Sequence, residues 1–153
     1  MGASWDFWTH GVNIQIENQV QGLTVSRRGW GTRIAQPANT TNWFHFVIPT
    51  PTQIDDETDV RLRSVWLKVY LGFETIIKTV HVRVGKRRVL EDKKVHTGDV
   101  NQGGVLYQQF DLPEEGVYLK GIAGGVVVSV EVEFKKGDDL WVTFEGAAAR
   151  FDV

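Results

Sequence analysis

The chain contains no cysteine, which excludes disulfides, thiol catalysis and cysteine-built zinc or iron–sulfur sites. It also has no excess of basic charge: 17 Lys and Arg stand against 19 Asp and Glu, a formal net charge of −2. A protein built mainly to hold nucleic acid needs a clustered positive field, so no nucleic-acid partner is expected. No apolar run approaches the roughly 20 residues that a membrane-crossing helix needs, so no membrane partner is expected. The start, Met1-Gly2-Ala3-Ser4-Trp5-Asp6, lacks the basic residues and apolar stretch of a secretion signal. With no disulfides to form, a cytoplasmic location is the expectation. No phosphate loop, dinucleotide fingerprint or Gly-x-Ser-x-Gly elbow occurs, so no cofactor is expected.

Helical periodicity is scarce as well, and alternation of period two takes its place. From Val126 to Phe134, Val126, Val128, Val130, Val132 and Phe134 share one side, while Val127, Ser129, Glu131 and Glu133 share the other. A strand points the first set inward, whereas a helix would scatter it around its circumference. The same pattern covers Val12 to Ile16, Val65 to Leu71, Val80 to Val84 and Leu140 to Phe144. Shorter candidates lie near Leu23 to Arg27, Asn42 to Ile48, Arg87 to Glu91 and Val105 to Leu112. That makes about nine strands at the spacing of a sandwich. Gly85-Lys86 is a candidate tight turn, and Pro49-Thr50-Pro51 stops the strand before it, because proline lacks the ladder donor. The polar segment Thr52 to Thr58 reads as a surface loop.

These patterns predict one domain over residues 1–153. The expected fold is an all-β, antiparallel two-sheet β-sandwich, jelly-roll-like, with little or no helix. An Ig-like sandwich or barrel is the alternative topology. Its inner layer is expected to hold Val12, Ile14, Ile16, Phe44, Phe46, Leu67, Val69, Val80, Val82, Val128, Val130, Val132, Val142 and Phe144.

Three segments are distinctive together: Trp8-Thr9-His10-Gly11, Gly29-Trp30-Gly31-Thr32, and Asn42-Trp43-Phe44-His45-Phe46-Val47-Ile48-Pro49-Thr50-Pro51. With them the chain resembles a family of small, uncharacterised, mostly bacterial β-rich domains of unknown function. The resemblance implies a β-rich fold and brings no activity, substrate or cofactor with it.

Functional candidates come from aromatic and basic residues opposite the apolar side of their strands. Trp43 and His45 oppose Phe44 and Phe46; Trp66 and Tyr70 oppose the Val65–Leu71 set; His81 and Arg83 oppose Val80 and Val82; Trp141 opposes Val142. If these strands share a sheet, its outer face carries a ligand-binding patch of Trp43, His45, Trp66, Tyr70, His81 and Arg83. Trp, Tyr and Arg are the types enriched at binding hot spots. Three uses of such a face compete. It binds a ligand (a carbohydrate, a small apolar molecule or a protein partner), it joins copies of a homo-oligomer, or Trp5 to Trp8 folds over it as a second core. The preferred function is a non-catalytic binding or interaction module. An enzyme with a His-centred acid/base or metal site is the alternative, and a structural subunit of a symmetric assembly is the third. The histidines His10, His45, His81 and His96 show no close-spaced ligand pair, so no metal and no catalytic residue is assigned.

Overall fold

A computed structural model describes residues 3–51, 59–97, 104–113, 115–119 and 125–153. The loop expected over Thr52 to Thr58 lies outside them. In chain order the strands are β1 (Ser4–His10), β2 (Gln15–Ile16), β3 (Thr24–Arg28), β4 (Gly31–Ala35), β5 (Thr40–Ile48), β6 (Arg61–Leu71) and β7 (Thr75–Val84). They continue as β8 (Arg87–Asp92), β9 (His96–Thr97), β10 (Gly104–Asp111), β11 (Val117–Tyr118), β12 (Val126–Phe134) and β13 (Trp141–Asp152). One turn of 3-10 helix, Gly11–Asn13, is the helical element among the described residues.

The strands form two antiparallel sheets, a jelly-roll-like β-sandwich. The larger is seven-stranded, ordered β10-β6-β13-β4-β3, with β1 added on β13 and β11 on β6. The smaller is six-stranded, ordered β2-β5-β12-β7-β8, with β9 added on β7. In β12 the five alternating apolar residues are buried as their period requires, between β5 on one side and β7 on the other. Phe144 of β13 crosses the interior to meet Phe44 and Phe46 of β5, with ring centroids 4.8 and 5.9 Å apart. All three rings are buried and close the gap between the sheets. Gly85 begins the β7–β8 turn with φ +58°, a left-handed conformation that glycine adopts without strain.

Twelve of the fourteen expected inner residues are buried, and Ile16 packs partly buried against them. Val12 is the exception. It sits half-buried in the 3-10 turn, because the chain there crosses from β1 in the larger sheet to β2 in the smaller one and cannot stay extended. The segment Trp5 to Trp8 is not a flap over a sheet face. It belongs to β1, paired with β13 from Ser4↔Asp152 to His10↔Gly146.

One detail of this topology positions the site. Along one side of β13, two strands lie end to end. β1 pairs with Gly146–Asp152 and ends at His10, whereas β4 pairs with Trp141–Phe144 and begins at Gly31. On its other side β13 pairs with β6, and the register slips between Phe144 and Gly146, so that Glu145 is a bulge. A bulge bends its strand and re-aims a side chain. Gly11 and Gly31 both press against the Phe144 carbonyl at this junction, where a Cβ on either would overlap it. Thr32 Oγ1 donates to Gly11 O at 2.9 Å, and Arg27 donates to Val12 O and Ile14 O, which fastens the crossing chain to β3 and β4.

Candidate functional site

The six residues expected to form one patch occupy two outer faces on opposite sides of the sandwich. Trp43 and His45 lie on β5 and His81 and Arg83 on β7, all in the smaller sheet; Trp66 and Tyr70 lie on β6, in the larger sheet. Alternation states which side of a strand faces inward. It does not state which sheet the strand joins, and each sheet has its own outer face. The patch expected from sequence is therefore not assembled as one surface.

On the smaller sheet, Ser129 of β12 stands between His45 and His81. His45 Nδ1 is 2.7 Å from Ser129 Oγ, and its Nε2 is 3.1 Å from Glu17. The Trp43 ring lies 4.8 Å from the His81 ring at a tilt of 31°, and His81 Nε2 is 2.9 Å from Glu91. Glu91 also receives Arg88 at 2.7 Å and Lys93 at 3.5 Å. Burial alone would raise the Glu91 carboxyl; the hydrogen bond from His81 and the charges of Arg88 and Lys93 outweigh it and hold the group below its usual range. Glu131 accepts from Thr79 Oγ1 at 2.8 Å, and Glu133 sits 3.6 Å from Lys78.

The line Ser129–His45–Glu17 has the order of a nucleophile, base and acid. Ser129, however, is only 3% exposed and lies in a strand paired on both sides, so neither substrate access nor free backbone donors for an oxyanion are present. On this face His45, Ser129 and Glu17, and His81 and Glu91, are engaged with one another. Among the described residues, no group of three or more His, Cys, Asp or Glu converges to hold a metal ion. His10 accepts from Val12 N–H, and buried His96, on β9 beside β7, packs edge-on against Phe110 with its Nε2 3.6 Å from Asp92.

The larger sheet carries a different surface. Tyr70 and Trp141 are parallel within 3°, centroids 5.3 Å apart. Gly72 makes room for this, since a Cβ there would come within 2.9 Å of the Trp141 indole. The Arg33 guanidinium lies 4.1 Å from the centre of the Trp141 ring and 6.0 Å from that of Trp30. Its Nε donates to Thr143 Oγ1 at 3.1 Å. Further along, Tyr107 of β10 lies 6.5 Å from Trp8 and 6.1 Å from Trp66. These rings reach one another over Gly146 and Ala148 of β13, and Ala148, although it points outward, is fully covered.

Two clefts follow this row. One, of about 380 Å³, is lined by Trp30, Arg33, Tyr70, Trp141, Thr143 and Glu145. The other, of about 400 Å³, is lined by Trp8, Thr9, His10, Trp30, Lys68, Glu145 and Gly146. They share Trp30 and Glu145 and so form one groove. It lies where β1 stops, β4 starts and the bulge turns Glu145 outward to an ion pair with Lys68 at 3.0 Å. Trp8 and Trp30 flank it half-exposed, at 49% and 50%. Sequence reasoning missed Trp8, Trp30, Arg33 and Tyr107. A signal existed for Trp8 and Tyr107, which fall on the polar side of their strands, with Asp6 and His10 and with Gln109. None existed for Arg33, whose partner Thr143 is 110 residues away.

Beside the groove, Arg150 makes a paired ion contact to Asp6 at 2.8 and 2.9 Å while its guanidinium lies 5.7 Å from the Trp66 ring centre. The hydrogen bond from Arg150 leads the causes that hold the Asp6 carboxyl below its usual range; its charge adds to this, and partial burial opposes it. A carboxyl with a lowered folded-state pKa adds stability above its unfolded pKa and loses it as pH falls through the folded value. Because the pair is exposed, Asp6→Asn is expected to cost no more than about 1 kcal/mol at pH 7. The gap from wild type in urea midpoints is expected to close below about pH 4. A gap that persists undiminished at pH 2 would show that Asp6 acts through packing instead of charge.

The described residues contain no helix long and apolar enough to cross a membrane. A search of curated proteins finds no match. Among solved structures, one of TmCBM61 in complex with β-1,4-galactotriose aligns with a TM-score of 0.53 over 91% of this chain and 89% of that one. The two sequences are 11% identical, so the likeness is one of fold. The model of a family of unknown function, DUF6623, matches residues 3–145, nearly the whole chain, and the protein belongs to that family.

Proposed function

We propose that the protein is a non-catalytic carbohydrate-binding module that takes a short stretch of glycan along the outer groove of the larger sheet. The observation that carries this reading is the pair of half-exposed indoles, Trp8 and Trp30, flanking a floor that holds Lys68, Glu145 and Arg33. A pyranose ring has apolar C–H faces and a rim of hydroxyls. It matches flat aromatic surface set beside directional charged groups, whereas a purely apolar molecule would leave those groups unpaired. The resemblance in fold to a protein solved with β-1,4-galactotriose supports the reading and supplies the first ligand to try. Trp66, Tyr70 and Trp141 support the platform; Trp43, His45, His81 and Arg83 are not part of the proposed site.

Each flanking indole should cover roughly 50–100 Å² of apolar surface against a sugar, worth about 1–2 kcal/mol. Trp8→Ala and Trp30→Ala are therefore each expected to weaken β-1,4-galactotriose by about tenfold in calorimetric titration. Trp43→Ala, on the opposite face, is expected to leave it unchanged. Equal binding by all three variants, a loss confined to Trp43→Ala, or no binding of any oligosaccharide tested, neutral or acidic, would overturn the assignment.

A further inference from the structure

The charge at one end of the groove is not balanced. Arg150 has Asp6, Arg61 and Arg63 share Asp152, and Arg88 has Glu91. Arg33 has no carboxylate partner among the described residues. The one acidic side chain lining its cleft, Glu145, is engaged by Lys68. Counted locally, Lys68 and Glu145 cancel and Arg33 leaves a net positive end. The side chain is also held in place. Its Nε bonds Thr143 Oγ1, Trp141 lies beneath the guanidinium at 4.1 Å and Trp30 stands to the side. Thr143 itself is only 4% exposed, so this anchor is fixed in the sheet. Nη1 and Nη2 make no hydrogen bond to any described residue. A stacked guanidinium with a free terminal fork loses little rotamer entropy when it accepts a planar, two-oxygen anion, and the fork matches a carboxylate in geometry as well as charge.

We infer that this end of the groove binds a carboxylate, so that the preferred glycan is an acidic one, with a uronic acid seated against Trp30 and its carboxylate received by Nη1 and Nη2 of Arg33. The inference rests on the groove being a glycan site. It adds the ligand class: a charged sugar in preference to its neutral counterpart. The choice of arginine is informative in itself, since a lysine would satisfy scattered hydroxyls without a fork. The ion pair of Lys68 and Glu145 next to it offers both signs to neutral sugar hydroxyls and so does not itself select charge.

The test uses a matched pair of ligands on the full chain: β-1,4-galactotriose, and the same trisaccharide oxidised at its terminal C6 to the carboxylate. Wild type is expected to bind the oxidised form at least tenfold more tightly at low salt, with the ratio shrinking as salt rises. Methyl esterification of that carboxylate is expected to abolish the advantage, a control that needs no variant. In Arg33→Gln the ratio of the two affinities is expected to fall close to one, and Arg33→Lys is expected to restore only part of it. If wild type binds both trisaccharides equally, or Arg33→Gln keeps the preference, the carboxylate assignment falls while the glycan groove stands. If neither trisaccharide binds, the glycan reading falls and the carboxylate assignment falls with it.

Discussion

Phe144→Ala is expected to destabilise the protein by about 3–5 kcal/mol, a large share of the stability of a domain this size. Phe144 is completely buried and joins the sheets, edge to face against Phe46 and tilted against Phe44. Truncation removes the transfer energy of the ring and leaves a cavity between two sheets. Their backbones are held by pairing on both sides of β13 and of β5, so the walls cannot close on it. Phe144→Leu keeps most of the volume and is expected to cost less than half as much. Urea denaturation with an unchanged slope measures both. A loss below about 1.5 kcal/mol for the alanine variant would mean that the sheets do not meet through this ring.

The same residue shows what the sequence makes legible. Phe144 alternates with Thr143 and Glu145, so its inward aim follows from local pattern alone, as it does for Val128 and Leu67. Strands whose inner side is not uniformly aliphatic escape that test. β4 buries Thr32 beside Ile34, and β1 carries aromatic residues on both sides, Trp5 and Phe7 inward and Trp8 outward. Neither has an alternation that marks it as a strand, so the ends that frame the groove are not legible from local pattern either. The aromatic surplus on outer faces was also legible residue by residue. Its division between two faces was not, because it depends on which strands pair. β6 joins β13 and β10, whereas β5 and β7 flank β12. Those pairings bring together segments far apart in sequence, which local periodicity does not encode. Trp66 and Tyr70 share the outer face of the larger sheet with the proposed groove, whereas the non-local pairing puts Trp43, His45, His81 and Arg83 on the smaller sheet.

Gly11→Ala is expected to cost about 3 kcal/mol or more although it adds only one methyl group. The space that methyl would need is occupied by the carbonyl group of Phe144 and the backbone of Glu145, and neither can swing aside as a side-chain tip could. To make room, the end of β1 must lift from β13. That movement breaks the Thr32 bond to Gly11 O and loosens the turn that leads into β2. The damage reaches the proposed binding groove directly, because His10 and Thr9 precede this glycine and line the same cleft as Trp8 and Glu145. The variant should therefore lower both the urea midpoint and, in whatever fraction stays folded, the affinity for a groove ligand. Gly29→Ala separates this effect from the general cost of replacing glycine. A Cβ at Gly29 meets nothing within 4 Å, so a change within about 0.5 kcal/mol is expected there. Equal stability losses at the two positions would show that the end-to-end junction of β1 and β4 on β13 is not the tight contact that shapes the groove.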